Sequence, residues 1–138
     1  MATNPMFIGT LNNEAVTFVN ADGTTAKDLW PPANVAGTAG FKVLDLNAVS
    51  DDTATVQVDI WLHDGTTAFL LGRVPVVTLS GTDGTAPSVS LLDPTLLAGA
   101  LDADGQLTVP DGWKLQVAPS AAITAAKTLT IIGIGGEY

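Results

Sequence analysis

The chain has 138 residues, 46% of them hydrophobic and only 14% charged, so it is long enough to bury one compact core. Its net charge is −9, and its five basic residues are scattered, which argues against a nucleic-acid surface because phosphate binding needs clustered Lys and Arg. The chain contains no cysteine for disulfides or thiol catalysis, and no apolar run long enough to span a bilayer.

The N-terminal segment, "MATNPMFIGTL", lacks the basic start and long apolar stretch of a signal peptide, so we expect a soluble protein made in the cytoplasm. Its apolar side chains precede the first well-defined strand. They are Met6, Phe7, Ile8 and Leu11. Residues 1–14 are therefore predicted to be either an arm that contacts another protein or a first strand paired at a sheet edge. Residues 15–138 are predicted to form one β-domain.

Alternating apolar and polar residues predict strands along most of the chain. In residues 53–62, "TATVQVDIWL", Val56, Val58 and Ile60 share one face and Gln57 lies on the other, as in a half-buried antiparallel strand. The remaining predicted strands are 15–19, 41–49, 66–77, 87–92, 106–109, 113–118 and 127–134. Pro75 cannot donate a hydrogen bond to a neighbouring strand, so it predicts an edge position or a bulge.

The connections carry strong turn signals. Asp-Gly pairs, which favour tight turns, occur at residues 22–23, 64–65, 83–84, 104–105 and 111–112. The one helical candidate is short, "DPTLLAGAL", where Asp93 could cap and Pro94 could occupy the first helical position. The pattern predicts an all-β fold: a single jelly-roll β-sandwich of about eight antiparallel strands.

The only histidine, His63, lies in "LHDGTT" between two predicted strands, where a hairpin turn is needed. One histidine and no cysteine are too few for a zinc site, and no serine stands in a Gly-x-Ser-x-Gly motif. His63 is therefore interpreted as a turn residue. We predict that the protein is not an enzyme and that it has no catalytic, cofactor or metal site.

Two groups of acidic residues partly match known kinds of site. Asp102, Asp104 and Gly105 match part of a calcium loop, but its first position would be Ala100, which offers no side-chain ligand. Asp51 and Asp52 form a carboxylate pair in "VSDDTA", which we interpret as a solvated connection between strands.

The three tryptophans are the candidates for recognition. Trp30 stands beside two prolines and Trp113 begins a strand, and burial in the core is the favoured role for both. Trp61 falls on the polar face of its strand, which favours a contact with a loop or another subunit about as strongly as burial. The candidate capsid or subunit interface residues are Met6, Phe7, Ile8, Leu11, Trp30 and Trp61.

Three stretches resemble the small capsid cement, or head decoration, proteins of tailed bacteriophages. They are "GTTAKDLW", "VSDDTATVQVDIWLHDGTTAFLLGRVPV" and "SLLDPTLLAGALDADGQLTVPDGWKLQVAPSAAITAAKTLTIIGIGGEY". The resemblance implies a jelly-roll fold, self-association as a homodimer or homotrimer, and binding to the major capsid protein on the outside of an HK97-like shell. It also implies a location on the virion exterior after synthesis in the host cytoplasm, with neither nucleic acid nor membrane as a partner.

Two other classes of function remain alternatives. One is a carbohydrate-binding or receptor-binding fibre-type β-domain of a virion that uses Trp30, Trp61 or Trp113 as a stacking platform. The other is an enzyme of cupin type. This class is the least supported of the three, because metal cupins normally use several histidines and this chain has one.

Overall fold

The computed structural model describes residues 10–11, 13–30, 40–97 and 99–137. Within these ranges the chain forms strands and connections, with one turn of 3-10 helix at Asn20–Asp22 and no α-helix. The strands are β1 Thr10–Leu11, β2 Glu14–Val19, β3 Lys27–Trp30, β4 Phe41–Ser50, β5 Val56–His63, β6 Ala68–Val76, β7 Val89–Ser90, β8 Leu107–Val109, β9 Lys114–Pro119 and β10 Thr128–Glu137.

The strands form two antiparallel sheets. In sheet A, β10 pairs with β1 and β2 along one edge and with β4 along the other, and β4 in turn pairs with β7 and β8. In sheet B the strand order is β3, β9, β5, β6. All of these pairings are antiparallel. The all-β prediction is confirmed, and the arrangement is compatible with a β-sandwich.

Each of the eight predicted segments contains a strand, but one observed strand, β3, was not predicted. β3 has four residues and ends at Trp30. β1, which has two residues, lies in residues 1–14, for which a first strand was one of the two alternatives. Segments this short carry too little alternation to be recognised from sequence. Pro75 lies in β6, which is the edge strand of sheet B.

The predicted short helix is replaced by turns. Asp93 does cap the first turn, because its Oδ1 accepts hydrogen bonds from the backbone N–H groups of Thr95 at 2.7 Å and Leu96 at 3.3 Å. The backbone N–H of Leu97 also bonds the Asp93 carbonyl at 2.8 Å. A helical nucleus is costly and needs propagation to become stable, which this short segment does not provide.

The glycines of the five Asp-Gly pairs all have a positive φ, between 58° and 102°. All five pairs lie in connections between strands, as their sequence predicts. In three of these turns the aspartate also accepts hydrogen bonds from nearby backbone N–H groups. The three are Asp22, Asp64 and Asp83.

Alternation along β5 follows the predicted register as far as Ile60. Val56, Val58 and Ile60 are buried, whereas Gln57 is exposed. The pairing with β6 then shifts by one residue between Ile60 and Trp61, which marks a bulge. Trp61 therefore lies directly beside this bulge in the pairing of β5 with β6.

The core lies between the two sheets and joins them in a single cluster. Its buried residues are Phe18, Leu29, Trp30, Phe41, Val43, Leu46, Ala48, Val56, Val58, Ile60, Val74, Val76, Leu91, Leu92, Leu97, Leu107, Val109, Leu115, Val117, Ile123, Leu129 and Ile131. Trp30, from sheet B, is the largest fully buried side chain, and its ring packs directly on Gly133 of β10 in sheet A. A Cβ at position 133 would overlap the Trp30 ring.

Several strand ends meet at one end of the sandwich. Thr10 and Phe41 both pair with Glu137, so β1, β4 and β10 share this end in sheet A. β8 ends opposite Phe41, and a short connection leads from it to β9, which begins opposite His63 in sheet B. We call this the arm end, because residues 1–9 precede Thr10 here.

We predict that Gly133→Ala destabilises the protein strongly, since the added methyl group overlaps buried Trp30 and the bicyclic ring has no free space to move into. Overpacking of this kind costs about 1–3 kcal/mol or more. The matched control is Gly99→Ala, because an added Cβ there meets nothing within 4 Å. Urea unfolding of the two variants provides the measurement, and equal midpoints would contradict the Trp30–Gly133 contact.

Candidate interaction surfaces

The residues proposed for an interface do not come together at one place. Met6, Phe7 and Ile8 lie outside the described residues. Leu11 lies in β1 and is 67% exposed, whereas Trp61 lies in β5 of the other sheet and is half-buried. Leu11 and Trp61 therefore belong to different surfaces.

Trp30 needs a correction as an interface residue. Its side chain has no exposed surface, so it belongs to the core that joins the sheets and not to a contact surface. β3 pairs with β9 up to Trp30, and the Trp30 ring lies against Gly133 in the core. Burial, which the sequence favoured for this residue, is the observed state.

The outer side of β2 and β10 forms an uncharged surface. Antiparallel pairing sets Ala15 opposite Ile132, Thr17 opposite Thr130 and Val19 opposite Thr128, so each pair projects from the same side of sheet A. We call this surface the β2–β10 face. It consists of Ala15, Thr17, Val19, Thr128, Thr130, Ile132 and Ile134.

Large aliphatic groups on the β2–β10 face are open to solvent. Ile132 is 42% exposed, Ile134 40% and Val19 40%. Between them, the hydroxyl groups of Thr17 and Thr130 lie 3.2 Å apart and are hydrogen-bonded. Leu11 continues the apolar character along β10, opposite Gly136. The strand pair thus presents a continuous apolar and hydroxyl surface without a charged member.

A second apolar group, which the sequence analysis missed, lies at the arm end. The rings of Phe69 and Trp113 stack with centroids 6.0 Å apart and planes inclined by 25°. Phe69 is 46% exposed and the adjacent Leu70 is 49% exposed. The sequence did carry a signal for this group. Phe69, Leu70 and Leu71 are three consecutive apolar residues that break the alternation, and Pro75 in the same strand indicates an edge position.

The His63 segment forms a hairpin tip. β5 ends at His63 and β6 begins at Ala68, and the backbone N–H of Asp64 bonds the carbonyl of Thr67 at 3.1 Å. Backbone N–H groups of Thr67 and Thr66 donate to the Asp64 carboxylate and lower its pKa. The imidazole Nδ1 of His63 accepts from the Gly65 backbone N–H at 2.9 Å. His63 therefore serves the turn.

A groove of about 380 Å³ opens on the outer side of sheet B beside Trp61. Asp59 of β5 is opposite Ala118 of β9, and Trp61 is opposite Gln116, so these four side chains line the same stretch of the sheet. Ala26, before β3, also lines the groove. Small alanines beside a tryptophan create the depression, since neighbours of unequal size leave the larger side chain as a wall.

Charged side chains around the groove are fixed by one another. Arg73 donates to both carboxylate oxygens of Asp59, from Nε at 2.5 Å and from a terminal nitrogen at 3.1 Å. This hydrogen-bonded pairing, together with the charge of Asp59, raises the pKa of Arg73. Asp59 is only 7% exposed although it lies on the outer side of the sheet. Gln116 donates from Nε2 to Oδ1 of Asp28 at 2.6 Å.

The carboxylate pair at 51–52 is not simply a solvated loop. Asp52 is only 1% exposed, and its oxygens accept hydrogen bonds from the backbone and hydroxyl of Thr124 at 2.9 and 2.8 Å and from the Ala54 backbone at 2.9 Å. Asp51 accepts from the Thr128 backbone at 2.7 Å. These contacts join the β4–β5 connection to the segment that enters β10.

Two opposing effects set the pKa of Asp52. Burial is the largest single effect and raises the pKa, but hydrogen bonds from Thr124, Ala54 and Thr53 together outweigh it, so the pKa lies below its ordinary value. Asp52 is therefore ionised in the folded protein at neutral pH. It stabilises the fold as a charged hydrogen-bond acceptor.

The calcium-loop residues are engaged within their own turn. Oδ1 of Asp102 accepts from the backbone N–H groups of Asp104 and Gln106, each at 2.9 Å, and Oδ2 lies 3.4 Å from the Lys42 ammonium. Across the ranges that the structure describes, no three His, Cys, Asp or Glu side chains form a group able to hold a metal ion. Within the same ranges, no helix has the length and apolar character needed to cross a membrane.

Neither comparison of the chain with known proteins identifies a relative: no protein-family model matches it, and no curated protein matches it significantly. Functional inference therefore depends on the surfaces described above and on the resemblance found in the sequence.

We predict that Asp52→Asn lowers the free energy of unfolding at pH 7 by about 1–3 kcal/mol, because a buried charged acceptor of several hydrogen bonds is lost. Since the pKa of Asp52 is lower in the folded state, its stabilising contribution is present above the unfolded-state pKa of about 3.9 and is lost as pH falls through the folded value. The difference between wild type and variant should therefore narrow toward pH 3.

Urea unfolding at pH 7 and pH 3 measures this difference. The matched control is Asp104→Asn, which removes the same charge from an exposed turn position. A constant gap between wild type and Asp52→Asn at both pH values would contradict an ionised Asp52 in the fold.

Proposed function

We propose that this chain is a structural protein that binds the outside of an HK97-like capsid shell and stabilises the head, with the major capsid protein and further copies of itself as partners. The role is non-catalytic and requires neither a cofactor nor a metal. It places the protein on the virion exterior after synthesis in the host cytoplasm. The resemblance to cement proteins, which extends from about residue 20 to the end of the chain, suggests this role.

We also propose that the two sheets form a jelly roll. Its support is the strand order: β2, β10, β4 and then β7 with β8 in one sheet, and β3, β9, β5 and β6 in the other. From β2 to β5 each successive strand lies in the opposite sheet, and the first long strand, β2, pairs with the last, β10. This order brings distant parts of the chain together in each sheet.

The observation that carries the functional proposal is the uncharged β2–β10 face. Ile132, Ile134 and Val19 leave large aliphatic surface in solvent in a row along paired strands. Burying such apolar surface against a partner is favourable by roughly 25 cal/mol per Å², and this free energy is not obtained while the face is exposed to solvent. A face of this kind, uncharged along β2 and β10 and bordered by Asp45 of β4 opposite Ile134, suits a protein partner.

The arm end supplies a second contact for the same role. Residues 1–9, with Met6, Phe7 and Ile8, precede Thr10 at this end, where Phe69 and Leu70 are exposed. A cement protein gains firm attachment from several weak contacts, because later contacts form at high effective concentration once the first is made. A face and an arm that engage neighbouring capsid subunits would satisfy this requirement.

We predict that heads carrying the protein withstand higher temperature and stronger osmotic shock than heads from which it is absent. Bound copies favour the assembled shell because they bind it and not its dissociated subunits. Heating both kinds of head and following DNA release measures the effect. Identical resistance with and without the protein would refute the cement role.

Two variants test which surfaces bind the capsid. Deletion of residues 1–9 keeps β1 in place and should leave a folded protein that co-sediments with heads less well. Ile132→Asp should weaken binding by about tenfold or more by placing a charge in the face. Leu96→Asp is the control. Leu96 is 43% exposed, close to the 42% of Ile132, but it lies in the connection between β7 and β8 and not in the β2–β10 face. Equal binding of the two aspartate variants would exclude the β2–β10 face as the contact.

A further inference from the structure

The groove beside Trp61 has features that capsid binding does not use. It lies on the outer side of sheet B, whereas the β2–β10 face belongs to sheet A. We propose that this groove is a binding site for a neutral saccharide, with Trp61 as the stacking platform and Gln116, which is held in position by Asp28, as a hydrogen-bonding group. This inference goes beyond the proposed capsid role and does not depend on it.

The aromatic wall is the first argument. Trp61 projects from the outer side of its sheet, where its neighbours across the strands are Leu70 and Gln116, so it is not part of the buried core cluster. An indole ring at a groove offers an apolar face and a polar N–H together. The C–H faces of a sugar ring are apolar and its hydroxyl groups lie at the rim, which matches this division.

The polar groups near the ring are already held in position. Nε2 of Gln116 donates to Asp28 at 2.6 Å, while Oε1 of Gln116 accepts no hydrogen bond from the residues that the structure describes. The second oxygen of Asp28 lies 3.5 Å from the Lys114 ammonium. A planar amide and a carboxylate fixed by each other lose little freedom when they bind hydroxyl groups, which favours binding through preorganisation.

Charge distinguishes a neutral ligand from an ionic one. Asp59, which lines the groove, is paired with Arg73, and Asp28, which is bonded to Gln116, is paired with Lys114, so neither carboxylate is an unpaired site for a cation. An anion would meet these two carboxylates and a protein with a net charge of −9. A neutral polyhydroxyl compound needs no unpaired carboxylate and is not repelled by the negative charge. It can use the paired groups as hydrogen-bond donors and acceptors.

The size of the groove limits the ligand. Its volume of about 380 Å³ is at the lower end of the range of about 300–1,000 Å³ found for small-molecule sites. The floor is lined by Ala26 and Ala118, whose small side chains allow a ring to lie flat beside Trp61. The site therefore suits a short stretch of an oligosaccharide, with further rings extending into solvent.

The test is a titration of the full chain, labelled with ¹⁵N, with cellotetraose, maltotetraose, chitotriose and, as an anionic counter-probe, trigalacturonate. The three tryptophans give separate indole N–H signals, and Trp61→Phe assigns the one from the groove. We expect at least one neutral saccharide to shift the Trp61 indole signal and the Gln116 and Ala118 amides saturably. The signal of the buried Trp30 should stay in place.

Variants then separate stacking from nonspecific contact. Trp61→Ala should weaken binding by about tenfold or more, and Trp61→Phe should retain part of it because an aromatic face remains. Leu70→Ala, which truncates an exposed neighbour outside the groove lining, should bind within about twofold of wild type. Thermal unfolding of each variant shows whether it remains folded.

Two results would overturn the inference. The first is that no neutral saccharide shifts the Trp61 signal, whether or not trigalacturonate does. The second is that a folded Trp61→Ala binds as tightly as wild type. Capsid co-sedimentation of Trp61→Ala is a separate measurement, so failure of the saccharide site and failure of the cement role remain distinguishable.

Discussion

Contact between one very large side chain and one position without a side chain fixes how the two sheets pack. Trp30 comes from the edge strand β3 of sheet B and fills the space above Gly133 in the middle of sheet A. Gly133 itself pairs with Glu14 on one side and Leu46 on the other, so the ring lies over a continuous part of the sheet. The β2–β10 face lies on the opposite side of β10 from this contact.

The unusual charge balance is accommodated by using carboxylates as local acceptors. Fourteen acidic side chains face five basic ones, so most of them cannot form ion pairs. Several instead accept hydrogen bonds from backbone N–H groups in turns. Hydrogen bonds from Thr85 and Ala86 lower the pKa of Asp83 to about 2. Acidity thus serves the connections of the fold, while the β2–β10 face remains uncharged.

Local rules predicted the parts of this structure that depend on neighbouring residues. Alternation placed Val58 and Ile60 inside and Gln57 outside, and Asp-Gly pairs marked the turns, because both signals are complete within a few residues. The burial of Asp52 was outside their reach, and for Trp30 they favoured burial but could not identify the residue on which the ring packs. Each depends on a partner far along the chain, Thr124 for Asp52 and Gly133 for Trp30.

The candidate surfaces also combine features that nearby residues determine with features that depend on distant parts of the chain. Sequence identified Leu11 and Trp61 as apolar residues in unusual positions, but it could not say that β1 would pair with the final strand or that Ala118 would lie beside Trp61. Phe69 was missed because its exposure follows from the position of β6 at a sheet edge, and strand order is a property of the whole chain. A face or groove on a sheet is therefore harder to predict than the strands that form it.

Pairing of the first strands with the last has a mechanical consequence. Thr10 is opposite Glu137, and the ladder continues from Gly133 opposite Glu14 to Thr128 opposite Val19. Tension applied between these two ends would act across the strands and break their hydrogen bonds one after another, as in opening a zipper. Tension applied along the strands would load many of these bonds at once. The β1–β10 and β2–β10 ladders are therefore weaker when their paired ends are pulled apart than when they are sheared along the strands.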